Sequence, residues 1–274
     1  MSLKDIFNSV RNKPIIGALH FSPLIGYKGF KSMEDVLDMA LKDAAAFENG
    51  GADSIIIENN YDIPHKIHVG PETVSAMTYL GAEIKRRTKL PLGVSVLWND
   101  YKSAFAIAVA LGAKFIRVPV FVDSVKTDFG TVIADPEDVL RTRSDFGADK
   151  VQIFADIQVK HATILKSRSV SESAIDAERK GADAIVITGE WTGDAPDMSD
   201  LKEARGCVKI PIVIGSGLSY NNAKTLFEYA DVAIVSTSVK EGRIVEGERN
   251  LKPYNSRVSV KKVRALVDAV SGKN

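Results

Sequence analysis

The chain has 274 residues, 45% of them hydrophobic, with 36 Lys and Arg set against 35 Asp and Glu. A near-zero net charge offers no basic field to gather phosphodiester backbones, so nucleic acid is not an expected partner. The single cysteine, Cys207, excludes a disulfide framework and points to a reducing compartment, the cytoplasm. The opening residues, MSLKDIFNSVRNK, lack the apolar core of a signal peptide, and the longest uncharged apolar stretch, 103–113, is too short for an integral membrane segment.

Short Val- and Ile-rich runs recur along the chain. They predict strands near 14–20, 53–58, 92–97, 114–120, 151–157, 183–188, 211–215 and 231–236, apolar on both faces as buried parallel strands are. Two kinds of joint introduce them. Gly51-Ala52-Asp53, Gly112-Ala113, Gly147-Ala148-Asp149 and Gly181-Ala182-Asp183 each close a helical stretch, because Gly accepts the left-handed cap that turns the chain into the next strand. Pro14, Pro91 and Pro211 open three other strands, where a missing N–H is tolerated. Helical periodicity fills 33–49, 71–88, 100–111, 136–146, 170–180, 198–206, 219–229 and 257–270, and Ser32, Gly70-Pro71 and Asp135-Pro136 are start signals. Lys85-Arg86-Arg87 closes the second of these, where cations suit the helix dipole. Eight alternations without a G-x-G-x-x-G fingerprint predict one α/β domain over 1–274, a (β/α)₈ TIM barrel.

The strand-to-helix loops 59–70, 121–135, 158–169 and 189–197 are long, while the opposite turns are short. Long ordered loops cost entropy and mark the functional end of a barrel. The stretch 211–240 organises that end. Gly215-Ser216-Gly217 follows the seventh strand and Ser236-Thr237-Ser238 the eighth. Two adjacent turns of Gly and Ser/Thr offer backbone N–H groups and hydroxyls to a phosphate, although tight turning alone would also explain them. Gly215, Ser216, Gly217, Ser236 and Thr237 are the expected phosphate contacts. Gly217→Asp is expected to remove phosphate binding and leave the fold intact.

Polar residues interrupt the other strand ends. His20 ends the first strand, Glu58 the second, Asn99 follows the third, Arg117 lies in the fourth and Asp156 near the end of the fifth. A carboxylate in a Val/Ile strand is costly to bury unless paired or hydrated, so these are either a brace for the loops or a site. Gln152, Phe154 and Asp156 share a strand face, with Asp156 uppermost. Asp156, Glu58 and His161 are the expected acid–base groups. His20, Asn99, Arg117 and Lys160 are the expected substrate contacts, Arg117 doubling as a counter-ion. Lys160 reads as a solvated lysine beyond the strand; a strand-end lysine could form a Schiff base, but no partner that would lower its pKa is visible. His65 and His68 have metal-compatible spacing, yet a lone H-x-x-H in a loop is weak, and neither a metal nor a cofactor is expected. Trp98 and Trp191 flank the mouth, and Thr127-Asp128-Phe129-Gly130 is a candidate lid.

Taken in order, Ile16-Gly17-Ala18-Leu19-His20, Glu58-Asn59, Val94 to Asp100, Phe115-Ile116-Arg117-Val118, Phe154-Ala155-Asp156 with Val159-Lys160-His161, Thr188-Gly189, Gly215-Ser216-Gly217 and Ser236 to Lys240 resemble the BtpA family over nearly the whole chain. That family includes photosystem I biogenesis proteins and SgcQ-like bacterial and archaeal relatives. The resemblance implies a barrel similar to the phosphate-binding TIM barrels of tryptophan biosynthesis. Family members tend to carry a second histidine in the segment that reads Asp156-Ile157-Gln158 here, and an Asn where Pro119 stands. Two functions remain open. One is an enzyme, an isomerase or lyase, on a small phosphorylated ligand such as a sugar phosphate or nucleotide-like compound. The other, implied by the photosystem relatives, is a non-catalytic assembly or stability factor acting through protein partners. A homo-oligomer is compatible with both.

Overall fold

The structure is a computed structural model that describes residues 6–7, 12–242 and 253–272. Its strands are β1 (Ile15–His20), β2 (Ser54–Glu58), β3 (Leu92–Ser95), β4 (Phe115–Val118), β5 (Val125–Thr127), β6 (Gly130–Val132), β7 (Gln152–Asp156), β8 (Thr163–Ile164), β9 (Ala184–Ile187), β10 (Ile212–Ile214) and β11 (Val232–Val235). Eight of them close a parallel barrel in the cyclic order β1-β2-β3-β4-β7-β9-β10-β11. Its helices are α1 (Met33–Gly50), α2 (Pro71–Arg87), α3 (Tyr101–Leu111), α4 (Pro136–Asp145), α5 (Val170–Arg179), α6 (Met198–Cys207), α7 (Ala223–Leu226) and α8 (Val260–Ser271). Among the described residues no helix is long and apolar enough to cross a membrane.

The elements begin where the sequence says they should. Ser32 accepts the Asp35 N–H at 3.0 Å, Asp135 accepts that of Asp138 at 2.9 Å, and Ser169 with Glu172 closes a capping box. The Asp of the recurring joints has a further job. Asp53 accepts the N–H of Ile15 and Asp183 that of Ile153, both at 2.8 Å, and Asp231 that of Ile212 at 3.0 Å. Each of these carboxylates thus satisfies an N–H at or next to the start of the preceding barrel strand.

Two expectations are revised. The helix expected over 219–229 shrinks to the single turn α7. The Asn222 side chain accepts from Ser219 N and donates to Gly217 O, so it competes with the helix for the backbone ahead of it. The lid expected at Thr127–Gly130 is a hairpin turn. Thr127 Oγ1 accepts from Phe129 N and donates to Gly130 O, and β5 pairs with both β6 and β8 in a small antiparallel sheet built from two of the long loops.

Inward-facing side chains fill the barrel in layers. Ile16, Ala18, Ile56, Phe115, Phe154, Ala184, Val186, Val213, Val232 and Ile234 form one apolar cluster, which Ile6 and Phe7 join. Phe115 and Phe154 stack with ring centroids 4.5 Å apart, and a Cβ on Gly93 would meet the Phe115 ring at 2.3 Å. The interior is therefore packed solid beneath the carboxyl ends of the strands. Phe154→Ala is expected to cost about 3–5 kcal/mol by opening a cavity that the closed sheet cannot collapse into, read as a lower midpoint in urea unfolding.

Candidate active site at the barrel mouth

Alternation carries each strand one step past the apolar cluster to a polar residue. The series Ile16-Ala18-His20, Ile56-Glu58, Phe115-Arg117, Phe154-Asp156, Ala184-Val186-Thr188 and Val232-Ile234-Ser236 point inward. The top layer is thus His20, Glu58, Arg117, Asp156, Thr188 and Ser236. Glu58 Oε1, Thr188 Oγ1 and Ser236 Oγ, together with Ser95 Oγ, are buried without a hydrogen-bond partner among the described residues. Native interiors leave few such atoms, so a concentration of them in one layer marks a site.

Arg117 is the hub. Its Nε and Nη2 donate to the two oxygens of Asp156, both at 2.8 Å, and its Nη1 lies 3.7 Å from Glu58 Oε1. Glu58 Oε2 faces His20 Nε2 at 3.2 Å. Burial, then the charge of Lys240, hold the His20 imidazole below its ordinary pKa against the pull of Glu58. Burial pushes Glu58 up, but the hydrogen bond and charge of His20 and the charge of Arg117 outweigh it and keep the carboxyl low. Asp156 is pushed up by burial and only partly drawn back by Arg117.

A cavity of about 570 Å³ opens above this layer. His20, Glu58, Arg117, Lys160 and His161 line it together with Gly215, Ser216, Gly217, Ser236 and Thr237. The expected phosphate turns and most of the expected polar residues therefore share one wall-to-wall space. Asp156 and Asn99 do not. Both Asp156 oxygens are spent on Arg117 and its side chain is 0% exposed, so it stands behind the guanidinium. Asn99 spends its amide on Val120, donating to its carbonyl at 3.1 Å and accepting its N–H at 2.8 Å. It braces the loop after β4.

His161 Nε2 lies 2.9 Å from Thr192 Oγ1, and its ring tilts against Trp191, which is half exposed. Trp98 is buried against Val120, Val125 and Val159, yet its edge reaches the cavity. His65 also lines the cavity, where burial lowers its pKa to about 4, while His68 is exposed. Among the described residues no three His, Cys, Asp or Glu side chains group as metal ligands.

Two features escaped the sequence. Lys240, two residues beyond the hydroxyl turn, is buried beside Tyr61, with Nζ 3.4 Å from its hydroxyl, and burial lowers its pKa to about 8. Nothing local distinguishes it from a surface lysine. Thr188 could have been found by continuing the alternation of β9. The turn after β10 also differs from expectation. Ser216 Oγ donates to Asp194 O at 2.8 Å, and a Cβ on Gly217, whose φ is +72, would stand 2.2 Å from the Ala195 nitrogen. Gly217→Asp would displace the loop over the cavity, so the expectation that it spares the fold does not hold.

The BtpA family model matches residues 11–271. The chain belongs to the BtpA family. A Pyrococcus horikoshii relative is 40% identical over 233 residues, 84% of this chain and 89% of that one. The photosystem I biogenesis protein BtpA of Synechocystis is 37% identical over 241 residues, 86% of this chain and 84% of its own. Among solved structures, (S)-3-O-geranylgeranylglyceryl phosphate synthase from Thermoplasma acidophilum, in complex with its substrate sn-glycerol-1-phosphate, has a TM-score of 0.63 at 16% identity and covers 99% of both chains. This BtpA barrel thus shares its fold with that enzyme.

Lys160 departs most from expectation. It is half-buried on the cavity wall; burial, then repulsion by Arg117, lower its pKa from 10.5 to about 8. Below pH 8 folded and unfolded chains both hold the proton, whereas between about 8 and 10.5 the unfolded chain holds more, so this lysine makes stability rise with pH across that window. Lys160→Met is expected to stabilise the protein at pH 7 by up to about 3 kcal/mol, with the gain vanishing by pH 10.5. Urea unfolding of both proteins at pH 7 and pH 10.5 checks it.

Proposed function

We propose that this BtpA-family protein is an enzyme that acts on a small phosphorylated metabolite, a sugar phosphate or nucleotide-like compound, by acid–base chemistry at the barrel mouth. The observation that carries the proposal is one cavity lined by two unlike sets of groups: the Gly/Ser turns after β10 and β11, and His20, Glu58, Arg117, Lys160 and His161. A phosphate on the turns would take the Ser236 hydroxyl, which lacks a partner among the described residues, and backbone N–H groups. The remainder of the ligand would then face Glu58 and His161 as proton-transfer groups, with Arg117 and His20 orienting it and Asp156 holding Arg117 in place. Isomerisation and lyase reactions need such a paired acid and base. The shared fold with a synthase that binds sn-glycerol-1-phosphate supports this by analogy.

A second function, an assembly or stability factor, is favoured by the name of the Synechocystis relative. Against it stands the cost of burying this many ionisable groups, which a docking scaffold does not need.

A thermal-shift comparison separates the two. Inorganic phosphate, ribose 5-phosphate, dihydroxyacetone phosphate and AMP are each paired with a phosphate-free counterpart. At least one phosphorylated compound is expected to raise the melting temperature where its counterpart does not, because a ligand of the folded state alone stabilises it. Thr237→Asp, which sets a carboxylate among the turns, should abolish the shift. No shift with any of the four would return the protein to the assembly role. For the compound that binds, Glu58→Gln is expected to keep the shift and lose at least about tenfold in turnover, ~1.4 kcal/mol of transition-state stabilisation. Wild-type turnover in that variant would remove Glu58 from the chemistry.

A further inference from the structure

The ion-pair cluster leaves one cation out. Arg117 takes both oxygens of Asp156 and the nearer approach to Glu58. Lys160, on the same cavity wall, makes no hydrogen bond or ion pair among the described residues. A lysine kept for bracing would hold an acceptor, as Lys240 holds the Tyr61 hydroxyl and Lys262 the Lys240 carbonyl. The groups that act on Lys160 are Arg117 from β4, Asp156 from β7, Glu58 from β2 and Asp194 from the loop after β9. The carboxylates among them only partly offset burial and Arg117.

The backbone around Lys160 is also unusual. Gln158 and His161 both adopt left-handed conformations, with φ of 48° and 59°. For non-glycine residues this costs free energy and persists only where surrounding contacts impose it. Those contacts are present. Gln158 N donates to Asp123 Oδ2 at 3.1 Å, its amide donates to Arg168 O at 3.0 Å, and Val159 is buried against Trp98. The short segment between the two strained residues carries Lys160 to the cavity that the turns after β10 and β11 also line.

We propose that Lys160 is an amine nucleophile that forms a Schiff base with the carbonyl carbon of a phosphorylated aldehyde or ketone whose phosphate rests on the turns after β10 and β11. The inference rests on the phosphate seat proposed above and names the substrate class for it. An amine reacts through its neutral form, and a cationic neighbour in a partly desolvated pocket is the arrangement that supplies it near neutrality. The lone pair of Nζ adds to the carbonyl carbon, and the carbonyl oxygen takes a proton to give a carbinolamine. A second proton on that oxygen lets it leave as water while the nitrogen lone pair forms the C=N bond. In sum, the ammonium and the carbonyl give one protonated imine and one water. His161, in the same cavity, is the group placed to relay these protons, since an imidazole exchanges them near neutrality.

Reductive trapping tests the proposal. The full chain is incubated with dihydroxyacetone phosphate, glyceraldehyde 3-phosphate or ribose 5-phosphate, reduced with sodium borohydride, and weighed intact and as peptides. At least one compound is expected to leave a single reduced adduct on Lys160, slower below pH 8 than above it. Lys160→Arg keeps the charge and should lose the adduct while keeping the thermal shift by inorganic phosphate. An adduct mapped to Lys240 or to surface lysines, or undiminished in Lys160→Arg, overturns the proposal. So does a phosphate-dependent thermal shift with no adduct, an outcome that leaves the phosphate seat standing. Absence of both overturns the two together.

Discussion

The charge on Arg117 is the constraint to which the barrel mouth answers. A guanidinium inside a Val/Ile strand is tolerable only with its donors satisfied, and Asp156 on the neighbouring strand β7 supplies two parallel acceptors. The fork fixes the plane of the guanidinium, and its third nitrogen is thereby directed towards Glu58 on β2, across the barrel top. Glu58 in turn faces His20. Four residues from four strands form one chain of contacts. Removing Arg117 leaves the buried Asp156 and Glu58 carboxylates without their shared cation.

The same fork sets the character of the groups around it. Burial, then the charge of Arg117, lower the basicity of Lys160, and Asp156 behind Arg117 and Glu58 shared with His20 offset this only in part. Burial, then Lys240, hold the His20 imidazole below its ordinary pKa. The mouth therefore combines a permanent cation, a low-pKa carboxyl, an imidazole of lowered pKa and a weakly basic amine within one cavity. Such divergent proton affinities among close neighbours are what acid–base catalysis requires and what a solvent-filled cleft does not produce.

Around the mouth, rigidity comes from buried acceptors more than from secondary structure. Asp123 takes Gln158 N, Ser173 Oγ and the Arg168 guanidinium, joining the loop after β4, the loop after β7 and α5. Asn99 ties the loop after β3 to Val120, and Ser216 ties the turn after β10 to Asp194. Backbone meets backbone at Gly217, which no side chain could allow. Long loops held this way present polar groups in fixed positions, so that little ordering remains to be done when a ligand binds.

Much of this was legible in the sequence because it depends on local rules. Period and capping located the eight barrel strands and, among the described residues, every helix from α1 to α8 except α7, which failed because Asn222 diverts the backbone ahead of it. Position at or near a strand end singled out His20, Glu58 and Asp156, a charge inside an apolar strand singled out Arg117, and turn chemistry singled out Gly215-Ser216-Gly217 and Ser236-Thr237. The rest depended on which strands are neighbours and on what each polar group finds there. That Asp156 hides behind Arg117, that Asn99 is consumed by Val120, that burial and Arg117 lower the basicity of Lys160 and that Lys240 is buried are facts about residues far apart in the chain. A residue's type sets its capacity for charge and hydrogen bonding. Only closure of the barrel, which brings β2, β4 and β7 to a common rim, decides how that capacity is spent.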